Sequence, residues 1–171
     1  MMAFIVQGQT LVANANAYIT VEFFDSYHAD RANDVSAFDE AAKQAAIIRA
    51  TDYLDQRFRF VGDRLEPGQP TEWPRLGAFD IDDDLVIGIP HEVQEATAEY
   101  ALIGLSSALN PVPTRDPSGR ILKERFEKVG PIEERVEFAQ NSRFELPKYP
   151  PADRKLIVRG LVLRNTRIYR G

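Results

Sequence analysis

Apolar residues recur at helical spacing in several stretches of the chain. The clearest is Ala37–Phe58, where Ile47, Ala50, Leu54 and Phe58 fall on one stripe, with Ala41, Ala45 and Ile48 beside it. Ser36 and Asp39 form a capping box that would start this helix. Thr20 is placed to cap a helix over Val21–Arg31, with Glu22 and Asp25 suited to its positive end and Phe23, Phe24 and Tyr27 giving it an aromatic side. Pro90 suits the first position of a third helix, because its missing N–H has no helical partner there anyway. Val93, Ala96, Tyr100, Ile103 and Leu105 supply the buried side of that helix, and Asn110-Pro111 ends it. A short last helix is predicted over Pro151–Arg159, with Gly160 as its stop.

Ile121–Val129 and Ile132–Phe138 flank Gly130-Pro131, apolar and polar residues roughly alternate in Glu133–Phe138, and a hairpin is predicted at about 121–138. A lone hairpin is marginal in water, so it is expected to pack on the helices or pair with another chain. Val61–Gly88, rich in Pro and Gly, reads as a long irregular segment of the kind that carries function or an interface. The expected architecture is mainly α: a small helical bundle with a β-hairpin and extended N- and C-terminal arms. Residues 1–16 form one arm, 17–160 the helical domain and 161–171 a basic tail.

Composition narrows the chemistry. With 171 residues and 44% hydrophobic content, the chain can bury a core without staples. It has no cysteine, which removes disulfides, thiolate catalysis and cysteine zinc sites. Neither a leader pattern nor an apolar run of membrane-spanning length is expected. A net charge of −5 gives no general attraction to phosphate. That charge is segregated, however: Asp80–Asp84 is acidic, whereas Arg154, Lys155, Arg159, Arg164, Arg167 and Arg170 follow one another with no acid between them.

Candidate reaction chemistry is sparse. His28 and His91 lie on different predicted helices with no serine placed against them, so both read as surface or helix-end histidines. Asp80-Ile81-Asp82-Asp83-Asp84 begins like a calcium loop, but Leu85 stands where glycine is needed and His91 where glutamate is, which leaves a solvated acidic turn. No metal site, no cofactor and no enzymatic activity are expected. Phe58, Arg59, Phe60, Arg64, Trp73 and Arg75 interleave aromatic and basic residues as a single-strand platform would, yet core aromatics flanked by arginines give the same pattern, and the net charge favours that plainer reading. The tail, with Leu161, Val162, Leu163, Ile168 and Tyr169 among its arginines, has the pattern of a segment that orders on an acidic or amphipathic groove.

Several of these stretches together resemble a known family. Ala17-Tyr18-Ile19-Thr20 leads into an aromatic helix. Ala45 to Asp55 reads Ala-Ala-Ile-Ile-Arg-Ala-Thr-Asp-Tyr-Leu-Asp and is followed by Phe58, Phe60 and Gly62. Trp73-Pro74-Arg75, Ile89-Pro90 with Val93 and Ala96, and Glu127-Lys128-Val129-Gly130-Pro131-Ile132-Glu133 complete the set. Over about residues 15–160 this resembles the head–tail connector (adaptor) proteins of tailed phages, which also carry the label DnaT-like single-stranded-DNA-binding protein.

The resemblance implies a structural virion protein at the neck, assembled in the host cytoplasm as a ring of about twelve copies that joins portal to tail and lets genomic double-stranded DNA pass through its lumen. Its implied partners are further copies of itself, the portal protein and a tail or neck protein, with no membrane. Trp73, Arg75, Val129, Gly130, Pro131 and Ile132 would meet neighbouring subunits, and Arg164, Arg167, Ile168, Tyr169 and Arg170 would dock on the portal. The alternative is a DnaT-like single-stranded-DNA-binding replication accessory, for which stacking of bases on Trp73 would quench its fluorescence.

Overall fold

In the computed structural model, the described residues are 3–111, the backbone of 122–128 and 133–138, and 148–163. Four helices are found among them: α1 (Val21–Ala29), α2 (Glu40–Arg57), α3 (His91–Ser106) and α4 (Pro150–Val158). Two short strands, β1 (Asp63–Arg64) and β2 (Arg75–Leu76), form one antiparallel ribbon; β3 (Leu122–Lys128) and β4 (Glu133–Phe138) form another. The mainly α bundle with a hairpin is therefore the fold. The chain divides into two compact units, residues 1–109 with 148–171, and residues 110–147. The second unit holds the β3–β4 hairpin, which runs from Leu122 opposite Phe138 to Lys128 opposite Glu133, with an irregularity between Leu122 and Glu124.

Local signals place the helix ends. Thr20 accepts the Phe23 N–H at 3.1 Å and caps α1. The start of α2 differs from expectation, because Asp39 is itself the cap and accepts the Ala42 N–H at 2.7 Å. Ser36 lies before the helix, its N–H bonded to Asp34. Pro90 is extended and immediately precedes α3, one position earlier than the pattern suggested. Gly160, in the left-handed region at φ 71°, ends α4 as expected.

In the first unit, α3 packs on both α2 and α4. Ile47, Ala50 and Leu54 of α2 meet a core that includes Val93, Ala96 and Tyr100 of α3 and Ala152 and Leu156 of α4. Beside this stripe Lys43, Ala46, Thr51 and Tyr53 are also buried, whereas Ala41 and Ala45, expected next to it, are exposed. Lys43 is tolerated there because its ammonium donates to Asp25 at 2.7 Å.

Residues 3–16 are not a free arm. Asn16 accepts the Ile5 N–H and donates to the Ala3 carbonyl, Gln7 donates its backbone N–H to Ala17, and Gln7, Ala15 and Asn16 are buried. A polar loop can pack inward in this way because its own amide side chains satisfy its backbone.

The long segment after α2 is likewise built inward. Tyr18 donates to Asp55 at 2.6 Å and accepts the Trp73 N–H at 3.1 Å, while Asp55 also accepts the Glu72 N–H at 3.0 Å. Gly62 allows the β1–β2 ribbon to close. Its φ is 71°, and a Cβ there would lie 2.7 Å from the Ala78 nitrogen and the Leu76 oxygen.

Candidate nucleic-acid interface

Most cations among the described residues are already engaged. Arg31 and Lys155 bind Glu95, Lys43 binds Asp25, Arg64 and Arg75 bind Glu72, Arg159 binds Asp80, and Arg49 donates to the Gly104 carbonyl. Three exposed cations, Arg59, Lys148 and Arg154, have side chains with no such partner among the described residues.

A single junction brings these three to one region. Arg57, in the last turn of α2, donates to Asp153 of α4 at 2.8 Å, across 96 positions of sequence. Asp153 also accepts from the Tyr100 hydroxyl and from the Tyr149 N–H. Burial opposes the Arg57 charge, but Asp153 and the tyrosine hydroxyls outweigh it and raise its pKa. Burial and the Asp153 carboxylate push the Tyr100 hydroxyl far up, so it stays a donor. This pins the end of α2 to the start of α4. Arg59 follows Arg57 by two residues, Lys148 precedes Tyr149, and Arg154 follows Asp153. The described chain ends beside them, because the Leu163 N–H donates to the Arg59 carbonyl at 2.7 Å.

Aromatic rings occupy the same junction. Tyr53, Tyr100 and Tyr149 meet edge to face with centroids 5.2 to 6.0 Å apart. Tyr149 and Phe58 remain half-buried, and the Arg57 guanidinium lies 5.5 Å from the Phe58 ring. Cations without carboxylates beside partly open rings can take phosphates and stack bases.

The residues singled out from the sequence divide differently. Phe58 and Arg59 lie at this surface, but Phe60 and Trp73 are buried, their rings 5.6 Å apart in the core. The Trp73 indole N–H finds no acceptor among the described residues. Trp73 thus presents no ring to a base or to a neighbouring subunit, and it cannot serve as a stacking reporter. Arg75 is turned inward, donating to the Val61 carbonyl at 2.7 Å and the Gly62 carbonyl at 2.6 Å as well as to Glu72. Val129, Gly130, Pro131 and Ile132 lie outside the described residues, as do Arg164, Arg167, Ile168, Tyr169 and Arg170. Lys148, Tyr149 and Arg154 were missed, because only the fold sets them beside Phe58 and Arg59.

Neither histidine belongs to this site. His28 is fully buried, which corrects the surface reading; its Nε2 is 3.1 Å from the Ala98 carbonyl and its Nδ1 is 3.2 Å from the Asn33 amide. Burial lowers its pKa, so the ring is neutral, with Nε2–H donating and Nδ1 accepting. His91 is exposed and lies 3.5 Å from Glu95. Asp80 shapes the acidic turn by accepting the N–H groups of Asp82 and Asp84. No cluster of His, Cys, Asp or Glu among the described residues is placed to hold a metal, and no helix among them is long and apolar enough to cross a membrane.

Fold and surface together define a small α-helical module with an open cationic and aromatic junction at the α2–α4 end. The family model described as "Putative DnaT-like ssDNA binding protein" matches residues 2–171, and the chain belongs to that family. No curated protein and no solved structure matches it. The match is to the DnaT-like family and not to a head–tail connector family. It corrects both the connector assignment and the virion role drawn from the resemblance, and it favours the alternative.

Proposed function

We propose that this protein binds single-stranded DNA at the α2–α4 junction, with Arg59, Lys148 and Arg154 on the phosphates and Phe58 and Tyr149 against the bases. The observation that carries this reading is that these three cations, alone among the lysines and arginines whose side chains are described, have neither a carboxylate nor a carbonyl to satisfy them, and Arg59 and Lys148 adjoin the half-buried Phe58 and Tyr149. Membership of the DnaT-like family supports it. A net charge of −5 does not oppose it, since grip on phosphate follows the local cluster and screening limits the reach of distant acids to about 10 Å. The role is binding, with no chemical step.

Fluorescence anisotropy of labelled oligothymidine tests this. Affinity should fall with salt, with a log–log slope of about −0.7 for each phosphate neutralised, so about −2 from these three side chains and steeper if tail arginines join. Arg59→Ala, Lys148→Ala and Arg154→Ala should each flatten the slope by about 0.7 and leave the far-UV spectrum unchanged. An absence of binding at about 50 mM salt would end the proposal.

A further inference from the structure

A second surface, away from the cationic junction in character, is unusually apolar. Leu76, Phe79, Ile81, Leu85 and Ile87 are each at least half exposed, Ile87 at 79%. Monomers rarely leave such a run uncovered. Phe79 pairs with Leu85 through a single antiparallel bridge, making a tight hairpin with Asp80–Asp84 at its tip. The hairpin lies on the C-terminal end of α4: the Ile81 N–H donates to the Arg159 carbonyl at 2.9 Å, and a Cβ on Gly160 would stand 3.2 Å from the Ile81 Cβ. Val158, 61% exposed, extends the apolar strip on α4.

A cavity of about 200 Å³ opens beside the strip, with Asp84, Glu92 and Arg159 on its polar side and Leu85, Pro90 and Leu161 on the other. Arg159 already binds Asp80, Asp82 and Glu92. Asp83 and Asp84 stand on the same turn with no ion pair among the described residues, so the hairpin tip and cavity carry more carboxylates than the single Arg159 guanidinium satisfies. The surface asks for an occupant that is both apolar and positively charged.

The chain itself carries such a segment. Residues 164–171 read Arg-Asn-Thr-Arg-Ile-Tyr-Arg-Gly, three cations and two large apolar side chains with no acid. The segment follows Leu163, three residues beyond Gly160 and so within about 10 Å of the hairpin's base, and its eight residues can reach about 26 Å when extended. That reach allows it to turn back onto the hairpin. Tethering at such range is equivalent to a millimolar concentration of free peptide.

We propose that Arg164–Gly171 docks on the Phe79–Ile87 hairpin of its own chain, with one arginine entering the cavity and Ile168 and Tyr169 covering the apolar strip, and that single-stranded DNA competes with the hairpin for this segment. The competition rests on the DNA-binding reading; the docking does not. The hairpin carboxylates then act as an internal substitute for phosphate and hold the tail's arginines back until DNA displaces them.

Gly171→Cys supplies a single thiol for a nitroxide in a chain that otherwise has none. The amide signals of Ile81, Leu85 and Ile87 should broaden in dilute full-length protein. They should recover in Asp83→Asn/Asp84→Asn, whose carboxylates make no bond within the turn, with an unchanged circular dichroism spectrum confirming the fold. Saturating oligothymidine should also restore the signals, and the double variant should bind the oligonucleotide about fivefold more tightly or better. Absence of broadening, or broadening lost on dilution (a second copy's tail), overturns the docking. Broadening that persists under bound oligothymidine, or an unaltered affinity in the double variant, overturns the competition. If neither protein binds oligothymidine, the DNA reading and its competition fall together, and the broadening alone decides the docking.

Discussion

Asp55 shows how one side chain sets the conformation of a long segment. It accepts from the Tyr18 hydroxyl and from the Glu72 N–H, and Tyr18 in turn accepts from the Trp73 N–H. Burial pushes the Asp55 carboxyl up to about 7, helped by the negative charges of Glu72 and Asp52 and opposed by these same hydrogen bonds. The folded chain therefore holds a proton that the unfolded chain, near 3.8, has lost. The stabilisation linked to this group is complete below about pH 4 and disappears as the pH rises through about 7. Urea midpoints should accordingly decline between about pH 4 and 7 in the native chain, and Asp55→Asn should flatten that decline. Asp55→Ala should cost about 1–3 kcal/mol for each donor it strands, read from the same titrations. His28 works in the opposite direction: its pKa is lowered by burial, so its contribution is present above about pH 6.5 and lost on acidification. Neither shift was legible from the sequence, because both come first from burial, which the packing of distant elements sets.

At the scale of the elements, the helices followed from short-range signals where one residue could do one job. Thr20 caps α1 and Gly160 ends α4 because a hydroxyl and a missing Cβ act within a turn of their own position. The Ser36–Asp39 capping box expected at the start of α2 does not form, and only geometry moved the cap: Asp39 receives the Ala42 N–H, while Ser36 sits in the preceding turn. Asp39→Ala should cost about 1 kcal/mol and Ser36→Ala about 0.5 kcal/mol or less, measured by thermal unfolding. Helix periodicity located the buried stripe of Ile47, Ala50 and Leu54. It did not decide which flank of α2 meets its neighbours, since Ala41 and Ala46 are equally apolar and differ only in angle about the axis.

For the whole molecule, the division into two units makes a direct prediction. Leu109 and Lys148, which bound the 110–147 unit, both belong to the first unit and lie close together, because the Tyr149 hydroxyl donates to the Leu109 carbonyl at 3.1 Å. A short Gly/Ser linker can span that gap. Replacing 110–147 with one should leave a cooperatively unfolding protein with the helical circular dichroism of α1 to α4. A chain that fails to fold would mean the hairpin unit is needed to complete the core.

The linear chain by itself determined the helices, the hairpin, the absence of cysteine chemistry and the separation of acidic from basic stretches, since each depends on residue type and near-neighbour spacing. Only the tertiary structure decided that Trp73 and His28 are buried, that residues 3–16 fold inward, and that the end of α2, just before Phe58 and Arg59, is pinned to the start of α4, where Lys148, Tyr149 and Arg154 stand. Those outcomes depend on contacts between positions as far apart as Arg57 and Asp153, and partner choice at that range is set by packing and charge satisfaction across the whole core.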